Sequence, residues 1–257
     1  MILARWRRWR EARTLATRPI PDRLWDPTLQ RYPFLARLHA ADREELRRLA
    51  TLFLASKEFH GAQGLVVDDE IAVAIAAQAC LPVLRLGLHW YDGFVGIVVH
   101  PDEVVARREV MDDDGIVHEY DETLSGEAMH GGPVMLSWRD VADAGTSADW
   151  GYNVVIHEFA HVLDLRDGVA DGMPALAGAA ERERWQSVLD AHFRRHERRV
   201  AVGRDTVLDP YGAQAIDEFF AVAVESFFVA PRAMRAAHAS LYALFSGFFG
   251  QDPAGAE

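Results

Sequence analysis

Two histidines and a glutamate stand within five residues of one another at His157, Glu158 and His161, in a run from Val154 to Asp164 that holds neither proline nor glycine. On a helix, residues four apart lie one above the other, so both imidazoles can reach one metal ion. Glu158 then points beside that ion, where a base takes a proton from an activated water. Val154, Val155, Ile156, Phe159, Ala160, Val162 and Leu163 make this helix apolar nearly all round, and so buried. Burying two imidazoles and a carboxylate without compensation is costly. A bound zinc ion removes that cost, so the stretch is expected to be a zinc-binding catalytic helix.

Catalytic zinc usually has three protein ligands, so one more lies elsewhere in the chain. Asp164 and Asp167 follow His161 too closely and are expected to hydrogen-bond a ligand or cap the helix end. His192 and His196 form a second pair four apart, but Arg194, Arg195, Arg198 and Arg199 surround them and would repel a dication. That pair is expected on a solvated face. Glu218 and Glu225 lie seven apart in a strongly apolar helix, separated by roughly 10 Å along its axis. Both cannot bind one zinc. On pattern alone, one is a ligand candidate and a solvent-facing pair remains open.

The elements that must hold these residues read as an α+β order: helices, a small sheet, then helices. Helices are expected from Asp42 to Phe59, from Asp68 to about Cys80, Asn153 to Leu165, Glu181 to Arg199, Gln214 to Val229 and Arg232 to Phe249. Strands are expected at Leu65–Val67, Val83–Leu88, Phe94–His100, Val117–Tyr120 and Pro133–Trp138. Residues 1–20 form a basic arm and 21–250 one domain, with a helical part to about 82, the sheet over about 83–138 and the catalytic helices over about 150–250; 251–257 is a tail.

With 257 residues the chain can bury a sizeable core. A formal net charge of -12 argues against broad nucleic-acid binding. No apolar run approaches a membrane span, and the single cysteine, Cys80, excludes an internal disulfide and fits a reducing, cytoplasmic setting. Cys80 has no activating base near it in sequence and reads as a buried hydrophobe, not a nucleophile. The arm Arg5-Trp6-Arg7-Arg8-Trp9-Arg10 is expected to be a short helix docking on the chain's own acidic body.

NVVIHEFAHVLDLRDGVADG (153–172) and YGAQAIDEFFAVAVESFF (211–228) resemble the Mlc titration factor A family of bacterial zinc metallopeptidases. ATLFLASKEFHGAQGLVV (50–67), AIAAQACLPVLRLGLHWYDG (74–93), VHPDEVV (99–105) and GGPVMLSWRDV (131–141) extend the resemblance from about residue 20 to 230. It implies a mainly helical, zincin-like metallopeptidase domain whose zinc site is similar to that of the anthrax lethal factor catalytic domain. It implies His157, His161 and Glu218 as zinc ligands, Glu158 as base, and Tyr211 as a tyrosine facing the metal. On residues alone Tyr211 is equally a packed aromatic. Where the family commonly shows Asn/Asp-Pro-Ala before the ligand glutamate, this chain has Ala215-Ile216-Asp217, which removes a preset first helical turn.

The expectation is a gluzincin-type zinc peptidase, aminopeptidase-like on short peptides, with Tyr211 donating to the oxyanion. The alternative is a regulatory protein that sequesters an Mlc-like transcriptional repressor, with zinc mainly structural.

Overall fold

The computed structural model describes residues 2–111, 117–128, 131–147 and 150–255. Four helices come first: α1 (Ile2–Thr17), α2 (Asp22–Arg31), α3 (Pro33–Ala36) and α4 (Ala40–Leu54). A short strand β1 (Glu58–Gly61) leads to the buried helix α5 (Asp69–Cys80), whose start is capped by the Asp68 carboxylate accepting from the Ile71 N–H at 2.9 Å. Strands β2 (Gly96–His100), β3 (Val104–Met111), β4 (Val117–Leu124), β5 (Gly126–Ala128) and β6 (Val134–Ser137) follow. The rest is helical: α6 (Trp138–Ser147), α7 (Val154–Asp164), α8 (Ala179–Ala201), α9 (Ile216–Val229), α10 (Pro231–Ala237) and α11 (Ala239–Phe249).

The fold is the mainly helical α+β arrangement expected. Its main sheet has the order β1-β2-β6-β5, with β1, β2 and β6 parallel and β5 antiparallel at the edge. β3 and β4 pair as a separate antiparallel ribbon, Val104 opposite Leu124 and Met111 opposite Val117. Helix α7 runs against β5 and β6 on one side and α9 on the other, so its His157–His161 stripe lies between an edge strand and a second helix.

Several local expectations give way. Val83–Leu88 is a series of turns, not a strand: Val83 and Leu84 plug the core while the Leu84 N–H donates to the Leu81 carbonyl. Pro82 precedes that run and Gly87 interrupts it, and a short apolar stretch fits a buried turn as well as a strand. Leu65–Val67 makes no ladder, and the strand lies earlier, at Glu58–Gly61, where a helix was expected to continue. The last expected helix breaks at His238 into α10 and α11. The N-terminal arm is helical and packs on α4; its ion pair Arg7–Glu11 lies within the helix, and Trp6 and Trp9 are exposed.

Two aromatic clusters fix the site-bearing helices. Phe159, on the buried face of α7, meets Phe53, Tyr91 and Phe94 with ring centroids 5.7, 4.9 and 5.8 Å away. Phe220 and Phe227 of α9 pack on Phe245 at 5.7 and 5.9 Å, with Trp185 closing over Phe220 at 6.0 Å. Each buried phenylalanine contributes about 1.5–3 kcal/mol, and such ring pairs add about 0.5–1.5 kcal/mol. The candidate site side chains therefore project from helices that have little freedom to shift.

Candidate metal centre

Helix α7 begins at Asn153, whose side chain accepts from the Ile156 N–H at 2.9 Å and donates to the side-chain Oε1 of Gln78 at 2.8 Å. The Asn153 N–H itself donates to Oε2 of Glu225 at 2.5 Å. One residue thus caps the helix and ties it to α5 and α9. Four residues on, His157 presents Nδ1 to Glu225 Oε1 at 2.7 Å. With that N–H committed to a carboxylate, the lone pair of the ring sits on Nε2 and faces the cleft.

Nε2 of His157, Nε2 of His161 and Oε2 of Glu218 converge. Their separations are 3.2 Å between the two imidazoles, 3.1 Å from His157 to Glu218 and 3.5 Å from His161 to Glu218. Three donors of a tetrahedral zinc, each about 2.0–2.1 Å from the ion, stand roughly 3.3 Å apart. Two imidazoles and one carboxylate at these spacings fit a zinc ion and leave a fourth direction open. Among the described residues this is the one group of three or more metal-ligating side chains so placed. Burial opposes ionisation of Glu218, but its bonds to His157 and His161 outweigh that and hold its carboxyl well below the usual range. Burial likewise works against a charged His157, yet Glu225 and Glu218 carry it well above the ordinary histidine value.

Glu158 does not join the donors. It is buried, and its Oε1 and Cγ lie so close to Gly126 of β5 that a Cβ there would come within 2.5 and 2.6 Å of them. Burial, first, pushes the Glu158 carboxyl up to about 7, against the pull of His157 and His161. Tyr211 lies in a short 3-10 turn, Pro210–Ala213, its ring 6.0 Å from that of His157. That turn is fixed three times. The Asp209 carboxylate accepts from the Tyr211 N–H at 2.8 Å, Gly212 abuts Phe219 and Val222 of α9, and Nε2–H of His196 donates to the Asp209 carbonyl at 3.0 Å. Tyr211, Asp209, Tyr152, Val222, Ser125 and Gly126 line a recess of about 280 Å³ around His157 and Glu158.

The remaining candidates have structural work. Asp164 is buried and accepts from the N–H groups of Gly172 at 3.0 Å and Met173 at 2.9 Å, so it clamps the loop after α7. The Asp167 carboxylate accepts from the Val169 N–H at 3.2 Å within the same loop. Cys80 is fully buried, and burial raises its thiol far above the ordinary value, which leaves no thiolate for nucleophilic attack. His192 and His196 do not form a solvated face. His196 is buried against Phe219, 5.5 Å between ring centroids, and His192 shares a hydrogen bond of 3.0 Å with the buried His238. The flanking arginines project elsewhere, because helical steps of 100° turn His192 and His196 inward while their neighbours turn out.

Two roles escaped the residue pattern: Glu225 on His157 and Gly126 against Glu158. Nothing local marks either. The helix start expected at Asn153 is met by its side-chain cap.

The family of glucose-regulated metallopeptidases M90 matches the chain over residues 6–250. The chain belongs to that family. It is 37% identical to Mlc titration factor A of Cronobacter sakazakii over 248 residues, covering 95% of this chain and 91% of the relative. It is 36% identical to Mlc titration factor A of Salmonella arizonae over 235 residues, covering 90% and 92%. An uncharacterized protein of Synechocystis is 36% identical over 250 residues, covering 96% and 90%. Membership makes a metallopeptidase-type function the general assignment, and none of the helices described is long and apolar enough to cross a membrane.

Proposed function

We propose that this M90 protein is a zinc-dependent peptidase of short peptides, with His157, His161 and Glu218 holding the ion and Glu158 acting as base. The observation that carries the reading is a buried carboxylate, Glu158, beside three convergent donors, with Glu158 and His157 lining one recess. Zinc held there supplies the Lewis acidity that ionises a water near neutral pH and polarises a carbonyl. Glu158, buried beside the donors, takes the water's proton as it attacks and delivers it to the departing amine. The Tyr211 hydroxyl donates to the developing oxyanion. Glu225 keeps His157 in the tautomer and orientation that binding needs.

The edge strand β5 offers the substrate a track. Its far edge carries no strand among the described residues, and Gly126 places it beside the base. A peptide that adds as a strand there brings its backbone past Glu158. The finer reading, that residues are removed from the amino end, rests on the family resemblance, and a cytoplasmic setting rests on the single cysteine. Glu158→Gln tests the mechanism: it should keep stoichiometric zinc and lose about 10²–10⁴-fold in kcat on a quenched peptide. Wild-type turnover in that variant would refute the assignment of the base.

The names of two relatives favour a second reading, in which the chain binds an Mlc-like transcriptional repressor and zinc is mainly structural. Structural sites are closed by four protein ligands, so an anomalous map with an open fourth position counts against it. Titration with a purified Mlc-type repressor tests the partner directly.

A further inference from the structure

A second recess of about 450 Å³ is walled by Trp90, Phe94, Val134, Val162 and Leu165. Its two walls are extensions of those that hold the base. On α7, Glu158 and Val162 are four apart, with Leu165 three beyond, so they form one stripe. On the sheet, Gly126 touches Glu158, while Ala128, two residues on, is paired with Val134. From Glu158 to Val162 is about 6 Å along the helix, and from Gly126 to Ala128 is roughly 7 Å along the strand. Helix and strand therefore advance together, and the recess lies about two extended residues from the base.

The lining decides what fits. Trp90 packs edge-on against Phe248 at 5.5 Å, and Lys57 anchors the turn beneath by donating to the carbonyls of Tyr91 and Phe94 at 2.5 Å each. The mouth holds one charge of each sign, Asp92 and Arg166. Arg166 is already engaged, its guanidinium 4.9 Å over the Trp90 ring and bonded to the His89 carbonyl at 2.7 Å. No net charge is left to select an ionic side chain, while the walls are aromatic and aliphatic. Direction follows from strand pairing. Antiparallel pairing is the more stable per residue, and β5 runs from Gly126 to Ala128. A peptide running against it on the free edge places its amino-side residues beside Ala128, the end of β5 next to the recess.

We propose that this recess receives a large apolar side chain, aromatic or aliphatic, from the first or second residue on the amino side of the scissile bond. The inference rests on the peptidase reading and adds the substrate class to it. Gly93 supplies the test, because it lines the recess and a Cβ built there meets nothing within 4 Å. A side chain at that position adds bulk to the lining without a packing clash.

The zinc-loaded full chain is assayed on quenched peptides carrying Phe, Leu, Ala or Asp at either of the two positions before the cut, with free and acetylated amino ends. At one of those positions Phe and Leu should exceed Ala and Asp by about tenfold or more in kcat/KM. Gly93→Leu should lower kcat/KM for the Phe peptide about tenfold more than for the Ala peptide. In Glu158→Gln, which binds without turnover, Kd values should follow the same order. Cleavage with no such preference, or a preference that Gly93→Leu leaves intact, overturns the inference alone. A folded, loaded enzyme that cleaves no peptide of the set sinks the peptidase reading, and this inference with it.

Discussion

The carboxylate of Glu225 accepts a hydrogen bond of 2.7 Å from Nδ1 of His157, while Glu218, two turns earlier on α9, stands 3.1 Å from Nε2 of the same ring. One helix thus grips both nitrogens of one imidazole, one carboxylate facing the metal position and the other behind it. The second oxygen of Glu225 accepts from the Asn153 N–H. Removing Glu225 frees the ring to rotate and strands a buried N–H. Glu225→Gln should weaken zinc affinity about 10–100-fold, read by competition with a chromophoric chelator. Glu225→Ala should add a stability loss of about 1–3 kcal/mol, read by urea unfolding. Zinc affinity equal to that of the parent in both variants would show that the contact does not orient the ligand.

How much of this centre was legible depends on range along the chain. His157, Glu158 and His161 are readable because their geometry is local: five residues on one helix settle which face each occupies. Glu218 could be named only as one of two candidates until the resemblance selected it. The role of Glu225 depends on how α9 crosses α7, and no spacing within α9 encodes that crossing. His196 was misread for the opposite reason. Its arginine neighbours suggested solvent, but burial is decided by the face turned to Phe219 and not by average composition. In the fold, long amphipathic helices were visible, whereas Val83–Leu88 was ambiguous because a short apolar run satisfies a core in either backbone form.

Gly126 meets the base where any side chain would displace it. A methyl group there would lie 2.5 Å from Glu158 Oε1 and 2.7 Å from its Cδ. Gly126→Ala should therefore push the carboxylate off its station, with a fall of about 10²-fold or more in kcat at unchanged zinc content. Zinc content and thermal midpoint, measured beside the rate, separate displacement of the base from unfolding. Full activity would mean that the carboxylate works from a different rotamer.

Tyr211 tests the oxyanion assignment. Its ring lies 6.0 Å from His157 on a turn pinned by Asp209, Gly212 and His196. Tyr211→Phe keeps the ring and removes the donor. It should cost about 10²–10³-fold in kcat with KM and zinc affinity little changed. A rise in KM at constant kcat would reassign the tyrosine to substrate binding.

His238 makes the fold acid-sensitive at a distance from the chemistry. It is buried and bonded to His192, and burial, reinforced by the charges of His192, Arg195, His196 and Arg199, lowers it to about 4 from its ordinary 6.5. Burial also lowers His192 and His196. Above pH 6.5 folded and unfolded chains both carry a neutral His238, so it contributes no pH dependence. Between about 6.5 and 4 the unfolded chain binds a proton that the folded chain refuses, so stability falls as the pH drops. The loss is on the order of 3 kcal/mol by pH 4, where it levels off. Urea unfolding of the parent and of His238→Asn at pH 7.5, 6.0 and 5.0 isolates this share from that of the carboxylates. The variant should lose less stability than the parent over that range, and identical losses would remove His238 as the cause.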